Sequence, residues 1–292
     1  MADNKQIIKI DESYLKNIND LDNNVLDKFG NWVKNIDSLK NKFLNGIPFE
    51  HVVIDDFLEE KYANELYDLF PENFENWYKY QNPIEFKYTY DEIENLDEKL
   101  KNYFYYLSSD KIVNLFRDIT NIKDLTFDEY LHGAGLHCHP KNGRLNIHLD
   151  YEKHPFSGKE RRLNIIFFLS KDWNTSWNGQ NELWDKEGAN CVTKTNVKFN
   201  RAIIFKTNDI SWHGLPETIL CPENKYRKSL AFYYVSPLLS MKDENEYRKK
   251  AKYIITDEKL KNDKKLIRLC EIRSNRRLNE NDINYYYSLN EG

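Results

Sequence analysis

Three side chains able to ligate a metal stand out by type and spacing. In "GRLNIHLDYEKHP" (143–155), His148 and Asp150 lie two apart in a run whose alternation predicts a β-strand. Side chains at i and i+2 of a strand share a face. The pair therefore either meets water as ordinary polar surface or points inward, where burial is costly unless something binds both groups. His213 follows 63 residues after Asp150 (213 − 150), just past the apolar strand "RAIIF". Two neutral imidazoles and one carboxylate form the facial triad of non-haem Fe(II), which leaves positions open for a chelating cosubstrate and then O2. A further 14 residues on (227 − 213), "YRKSLAFYY" puts Arg227 at the mouth of another apolar strand, with Ser229 two along on the same face. A guanidinium is a planar fork for a carboxylate, and a neighbouring hydroxyl can share that load. A competing metal pair, His137 and His139 in "HCH", has no suitably placed further ligands once the other three are assigned.

Such side chains need a scaffold that brings distant strands together. Residues 125–236 carry short β-rich runs ("LTFDEYL", "RLNIHLDY", "RRLNIIFFLS", "NELWD", "RAIIFKT", "SLAFYYV") separated by polar turns such as "SGKE" and "NTSWNGQN". Strands at that density predict a β-sandwich or barrel. A double-sheet jelly roll is the form that encloses a small ligand between its sheets. Upstream, "PFEHVVIDDFLEEKYANELYDLFPE" predicts a strand over 51–54, an Asp55/Asp56 cap, and a helix with Ala63, Leu66, Leu69 and Phe70 as its apolar stripe, stopped by Pro71. Residues 96–121 also predict helix, buried through Leu100, Phe104, Leu107, Ile112, Leu115 and Phe116. Residues 240–292 hold 13 Lys/Arg against 10 Asp/Glu, and blocks of both signs usually face water, so a solvated helical extension is expected rather than a phosphate-binding tail. The expected architecture is a mostly β core with α extensions. It comprises an N-terminal helical extension (1–47), a middle domain (48–238) whose jelly-roll core spans about 125–236, and a charged helical C-terminal extension (239–292).

Bulk properties narrow the function classes. A net charge of −4 and a pI near 6.0 carry no basic excess, so nucleic acid is not an expected partner. No run approaches the roughly 18 apolar residues of a membrane span. The N-terminus lacks the pattern of a secretory signal. Four scattered cysteines without a CxxC pair predict a reducing, cytoplasmic setting in which ferrous iron survives.

From residue 48 to 236 the chain resembles the Fe(II)- and 2-oxoglutarate-dependent dioxygenases, and within them the prolyl-4-hydroxylase-like branch. The likeness rests on the order of segments. A strand leads into the tight "HPKNG" turn, followed by H-x-D, a hydrophobic strand running into "LSKDW", a Gly-rich turn into "ELW", then the second His and Arg-x-Ser. The resemblance implies a jelly roll with iron between its sheets, and consumption of 2-oxoglutarate and O2 with release of succinate and CO2. It implies hydroxylation of a C–H bond and ascorbate as a reductant. It also implies His148, Asp150 and His213 as iron ligands, and Arg227 with Ser229 as partners of the cosubstrate's distal carboxylate. No side chain need act as general acid or base if the oxidant is made at the metal. The chain departs from the pattern in three places. His139 stands where the oxygen-sensing prolyl hydroxylases have a tyrosine before the turn, Phe168 of "FFLS" replaces the second tyrosine of "YYLN", and Asn178-Gly179-Gln180-Asn181 replaces Gly-Gly-x-Leu. Ser229 and His139 are positioned to replace the missing hydroxyls, and Asn181 to make an apolar wall polar.

Other residues are read as follows. Trp212, beside a ligand, is expected to line the site, whereas His51 and His132 are expected to be structural and His154 a turn residue. Arg161 and Arg162 open "RRLNIIFF" and are read first as solvated surface, with one reaching the substrate entrance as the alternative. The substrate is expected to be a protein, peptide or small molecule. Peptidyl proline is what the resemblance implies, and a sugar or nucleotide is the alternative. Asn181, His139 and Arg161 predict more hydroxyl or anionic character than a bare proline ring. The rival from another class is a catalytically inactive jelly roll that binds metal or peptide. A cupin-type enzyme without cosubstrate would leave Arg227 without a role.

Overall fold

One long curled antiparallel sheet carries the chain's chemistry, and helices back one of its faces. The computed structural model describes residues 12–238, 246–248 and 250–288; the remainder of the two expected extensions lies outside the described residues. The N-terminal part holds α1 (Glu12–Leu21), α2 (Ile36–Leu44), β1 (His51–Ile54), α3 (Glu60–Leu69), β2 (Tyr78–Gln81) and β3 (Glu85–Tyr90). Helices α4 (Glu98–Ser108) and α5 (Asp110–Thr120) follow, then β4 (Thr126–Phe127), β5 (Gly135–His139), β6 (Arg144–Leu149) and β7 (Glu160–Phe168). The core closes with β8 (Asn181–Trp184), β9 (Cys191–Thr195), β10 (Arg201–Lys206), β11 (His213–Leu215) and β12 (Arg227–Ser236). The C-terminal extension adds β13 (Lys252–Tyr253), α6 (Lys264–Arg273) and α7 (Glu280–Ser288).

Strand order is β1-β10-β7-β12-β5-β3-β6-β11-β8-β9, with β2 on β3, β4 on β12 and β13 on β6. This is the expected jelly roll, a mostly β core with α extensions. Strand β12 is buried along its whole length between β7 and β5. The period of two separates its faces. Leu230, Phe232 and Tyr234 join the helix-backed apolar core, and Arg227, Ser229, Ala231 and Tyr233 line a cavity. On the backed side Tyr103 of α4 stacks on Phe167 with centroids 5.6 Å apart. Phe116 of α5 meets Tyr234 at 5.2 Å, and the Tyr234 hydroxyl donates to the Leu107 carbonyl at 2.6 Å. Aromatic side chains of this size dominate the energetics of such a core.

Local chemistry moved some boundaries. Helix α3 is capped not by Asp55 or Asp56 but by Glu59, whose carboxylate accepts the Tyr62 N–H at 2.9 Å. Asp55 is drawn instead to Arg201 of β10 at 2.5 Å. The single helix expected over 96–121 is two, because Ser109 adopts an extended conformation (φ −65°, ψ 147°). Ser108 and Ser109 turn their hydroxyls onto the Phe104 and Tyr106 carbonyls, the local competition that favours serine at helix boundaries. Strands β2 and β3, and β9, were not expected from the sequence.

The C-terminal extension is not simply a solvated face. Tyr253 of β13 pairs with His148 of β6 in the ladder and stacks on its ring, with centroids 5.2 Å apart. Arg273 of α6 reaches the fully buried Glu85 carboxylate of β3 at 2.6 Å. A charged extension can dock because its few apolar residues (Leu266, Leu269, Cys270) bury with Ile84 and Tyr253.

Candidate metal centre and cosubstrate pocket

The inward alternative for His148 and Asp150 is the one the fold adopts. His148 and His213 are register partners across β6 and β11, with ring centroids 4.4 Å apart, and Asp150 follows directly after β6. His148 Nε2 lies 3.7 Å from Asp150 Oδ1, and His213 Nε2 lies 3.9 Å from Oδ2. One ligand atom from each residue lies within 4.8 Å of the others, the one such His/Cys/Asp/Glu group among the described residues. Ligand bonds of about 2 Å to a central ion span such separations.

The backbone sets the tautomers. His148 Nδ1 meets the Asn146 carbonyl at 3.0 Å and His213 Nδ1 meets the Ser211 carbonyl at 2.9 Å. A carbonyl only accepts, so each Nδ1 carries the proton and each Nε2 turns a lone pair toward Asp150, the second-sphere arrangement of ligating histidines. Burial pushes the His148 imidazolium down to about 3 and lowers His213, which keeps both rings neutral. Burial opposes ionisation of Asp150, but His213, Arg161, His148 and the Asn164 amide (3.1 Å) together bring it down to about 2. Two neutral imidazoles and an ionised carboxylate fit a ferrous ion by donor chemistry.

A cavity of about 480 Å³ opens beside the triad. Arg227 lies at its wall, 1% exposed, its Nε donating to the Gly179 carbonyl at 2.7 Å and its Nη2 without a hydrogen-bond partner. Burial pushes this guanidinium down to about 9, and no carboxylate among the described residues opposes the penalty. An unsatisfied buried cation facing a cavity is a seat for an anion. The same wall holds the expected Ser229, His139 and Asn181. Both His139 ring nitrogens and the Asn181 Nδ2 are buried without partners, so this end can take a polar ligand. His137 shares the His139 face, but neither joins the metal group.

Two expectations are corrected. Trp212 does not line the cavity. It precedes inward-facing His213 by one residue, so it points the other way, packing with Ile147, Leu149 and Trp184 while its Nε1 donates to the Lys186 carbonyl at 3.2 Å. Arg161 is not solvated surface. It is 2% exposed, lines the cavity, and lies between the Tyr151 and Tyr233 rings at 3.8 and 3.6 Å, with Nη1 3.7 Å from Asp150 Oδ2. Only Arg162 stays near the surface, paired with Glu160 at 3.2 Å. His132 also lines the cavity, and His154 is the expected turn residue, its Nδ1 accepting the Phe156 and Ser157 N–H groups, while its other ring nitrogen is buried on Asp128 at 3.0 Å.

Sequence reasoning missed Asn164, Lys87, Tyr151 and Tyr253 in the cavity wall. Asn164 had a signal, an amide inside the apolar run "LNIIFF"; Lys87 had one too, in the alternating "EFKYTY".

The family described as the 2OG-Fe(II) oxygenase superfamily matches residues 134–235. A comparison with curated proteins finds no significant match. Among solved structures, a prolyl hydroxylase from Trichoplax adhaerens, in complex with a hypoxia inducible factor oxygen degradation domain peptide fragment, superposes with a TM-score of 0.52 at 16% identity, covering 72% of this chain and 96% of that one. A prolyl-4-hydroxylase from Pseudomonas putida gives a TM-score of 0.49 at 14% identity, covering 70% of this chain and 98% of that one. HygX from Streptomyces hygroscopicus, with nickel and 2-oxoglutarate bound, gives 0.45 at 13%, covering 65% and 83%. The three side chains that could hold a metal, and Arg227, all lie within residues 134–235, the stretch that matches the 2OG-Fe(II) oxygenase superfamily.

Proposed function

We propose that the protein is an Fe(II)- and 2-oxoglutarate-dependent dioxygenase that hydroxylates a C–H bond of its substrate and releases succinate and CO2. One observation carries this reading: a buried guanidinium, without a counter-charge among the described residues, shares a cavity with the His148/Asp150/His213 group. His148, Asp150 and His213 would hold the iron, and Arg227, helped by Ser229 and His139, would hold the distal carboxylate of 2-oxoglutarate. When bound, the metal and cosubstrate together supply the oxidant, with ascorbate as a reductant. The protein's residues bind, orient and exclude water. Asn164 and Arg161 steady the Asp150 carboxylate through its Oδ2. Tyr253 covers the His148 ring and keeps solvent from that side of the centre. The four cysteines are free thiols, three of them buried, and support a reducing, cytoplasmic setting. Among the described residues no helix is long and apolar enough to cross a membrane.

Anaerobic titration with Fe(II) and then 2-oxoglutarate tests the reading, followed by a succinate assay across candidate substrates. Stoichiometric uptake of both with substrate-stimulated succinate is the expected result. Metal uptake without any 2-oxoglutarate binding would favour an inactive metal- or peptide-binding jelly roll.

A further inference from the structure

Two of the three candidate ligands sit within strands, His148 in β6 and His213 in β11, where ladder pairing holds the backbone. Asp150 lies just past the end of β6 and needs another hold on the backbone that aims its carboxylate. The segment that meets it comes from the C-terminal extension, outside the matched stretch 134–235. This segment runs antiparallel beside residues 147–153. Ile254 donates its N–H to the Ile147 carbonyl at 3.0 Å, and Tyr253 and Lys252 pair with His148 and Leu149. At the far end the Arg248 carbonyl accepts the Glu152 and Lys153 N–H groups at 2.7 and 3.2 Å.

The Arg248 side chain, 17% exposed, reaches both ligand-bearing segments. Its Nε donates to the Asp150 carbonyl at 2.8 Å, and its Nη2 donates to the Asn208 carbonyl at 3.2 Å. Its Nη1 lies 3.6 Å from Glu152 Oε2, which also accepts the Arg248 N–H at 3.0 Å, so the fork is itself held in place. Asn208 lies in the loop from β10 to β11. Its carbonyl also accepts the Ser211 hydroxyl at 3.1 Å, and that hydroxyl accepts the Asn208 N–H at 2.9 Å. The Ser211 carbonyl in turn takes the His213 Nδ1 proton at 2.9 Å. One guanidinium therefore ties the Asp150 peptide to the loop that orients the His213 ring. A rigid planar fork with several donors can make that bridge, whereas the ammonium of a lysine is a point charge on a flexible stem.

We propose that Arg248 is a positioning residue of the metal centre, acting through the backbones that carry Asp150 and His213 and setting the spacing between them. The inference rests on the reading of His148, Asp150 and His213 as an iron site and deepens it, because it makes the C-terminal extension part of that site. Removing a group that orients a metal ligand costs about 10–100-fold in affinity.

The test uses the full chain, stripped of metal and titrated with Mn(II) under anaerobic conditions. The paramagnetic resonance signal of unbound Mn(II) gives the dissociation constant, and thermal unfolding of the metal-free chain gives stability. Arg248→Met keeps the length of the side chain, removes every donor, and should raise the dissociation constant about tenfold or more. Arg248→Lys restores one donor, cannot bridge both carbonyls, and should fall between the Met variant and the parent. Leu269→Ala supplies the contrast, because Leu269 is buried with Ile84 and Tyr253 in the docked face of α6. It should lower the melting temperature at least as much as Arg248→Met while leaving the Mn(II) affinity near that of the parent. An unchanged dissociation constant in Arg248→Met would overturn the proposal. So would an equal loss of metal in Leu269→Ala, which would mean that the extension acts as a whole rather than through Arg248. If Arg248→Met does not fold, Arg248→Lys decides, and parent-like affinity there overturns the bridge. A parent chain that takes up no Mn(II) would overturn instead the reading of the triad as a metal site.

Discussion

The two faces of β12 show how one strand serves two ends. Leu230, Phe232 and Tyr234 are buried against helices and add stability, while Arg227, Ser229 and Tyr233, one residue out of phase, face the cavity and add binding capacity. Apolar burial stabilises without geometric precision, whereas an unpaired buried guanidinium costs stability until its ligand arrives. Damage to the two faces should therefore separate. The largest effect is expected on the cavity side: Asp150→Ala or His213→Ala should abolish ferrous binding and turnover while circular dichroism and thermal unfolding stay close to those of the parent. Full iron occupancy and turnover in either variant would remove these residues from the centre. His137→Ala, on the same cavity but outside the triad, should keep the metal.

On the helix side the signs reverse. Phe232→Ala should destabilise the fold by about 3–5 kcal/mol, the cost of truncating a buried aromatic, measured by denaturant unfolding. Metal affinity of the folded fraction should hold. Arg227→Leu should leave the fold and the metal in place and weaken 2-oxoglutarate binding by about 2–5 kcal/mol, the range for breaking a buried charge pair. Unchanged affinity by calorimetry would take Arg227 out of the pocket.

The contrast also explains what the sequence made legible. His148, Asp150, His213 and Arg227 are polar residues in or beside apolar strands; alternation puts His148 with Asp150 and Arg227 with Ser229 on shared faces, and the order and spacing of all four favour the inward face. Trp212 was misplaced for the same reason, since the residue next to an inward ligand must point outward. The contributions of the C-terminal extension were not legible. Tyr253 and Arg273 act across more than one hundred residues of sequence from their partners His148 and Glu85, and a mixed-charge block reads alike whether it is solvated or docked. Arg161 shows the same limit, because a strand-opening arginine becomes buried only when Tyr151 and Tyr233 close over it.

Titration probes the cavity side alone, and more gently. Burial pushes His132 down to about 4 and His137 down to about 3, whereas an unfolded histidine titrates near about 6.5. Below that value the unfolded chain binds more protons than the folded one, so stability falls with pH. The contribution is complete above about 6.5 and is lost steadily down to about 3, the lower of the two folded values. The melting temperature of the metal-free protein should drop across that window, and His132→Gln with His137→Gln should flatten the slope. An unchanged slope would place the acid sensitivity in the carboxylates.

The smallest expected effect lies where the faces meet the cosubstrate. Phe168 pairs with Ser229 across β7 and β12, and the Arg227 guanidinium sits 4.9 Å from its ring centre. The Arg227 Nη2 has no partner, and Phe168 occupies the position at which the resembled branch carries a tyrosine. Phe168→Tyr therefore offers a hydroxyl to a pocket short of acceptors. One added hydrogen bond is worth about 1 kcal/mol, and overpacking a fully buried ring costs about as much. The balance separates two readouts. Unfolding free energy should fall slightly, while 2-oxoglutarate binding should tighten by a few-fold, because the hydroxyl's own proton finds a carboxylate acceptor only with the cosubstrate present. Lost stability with no gain in 2-oxoglutarate affinity would mean that the cosubstrate does not touch this wall.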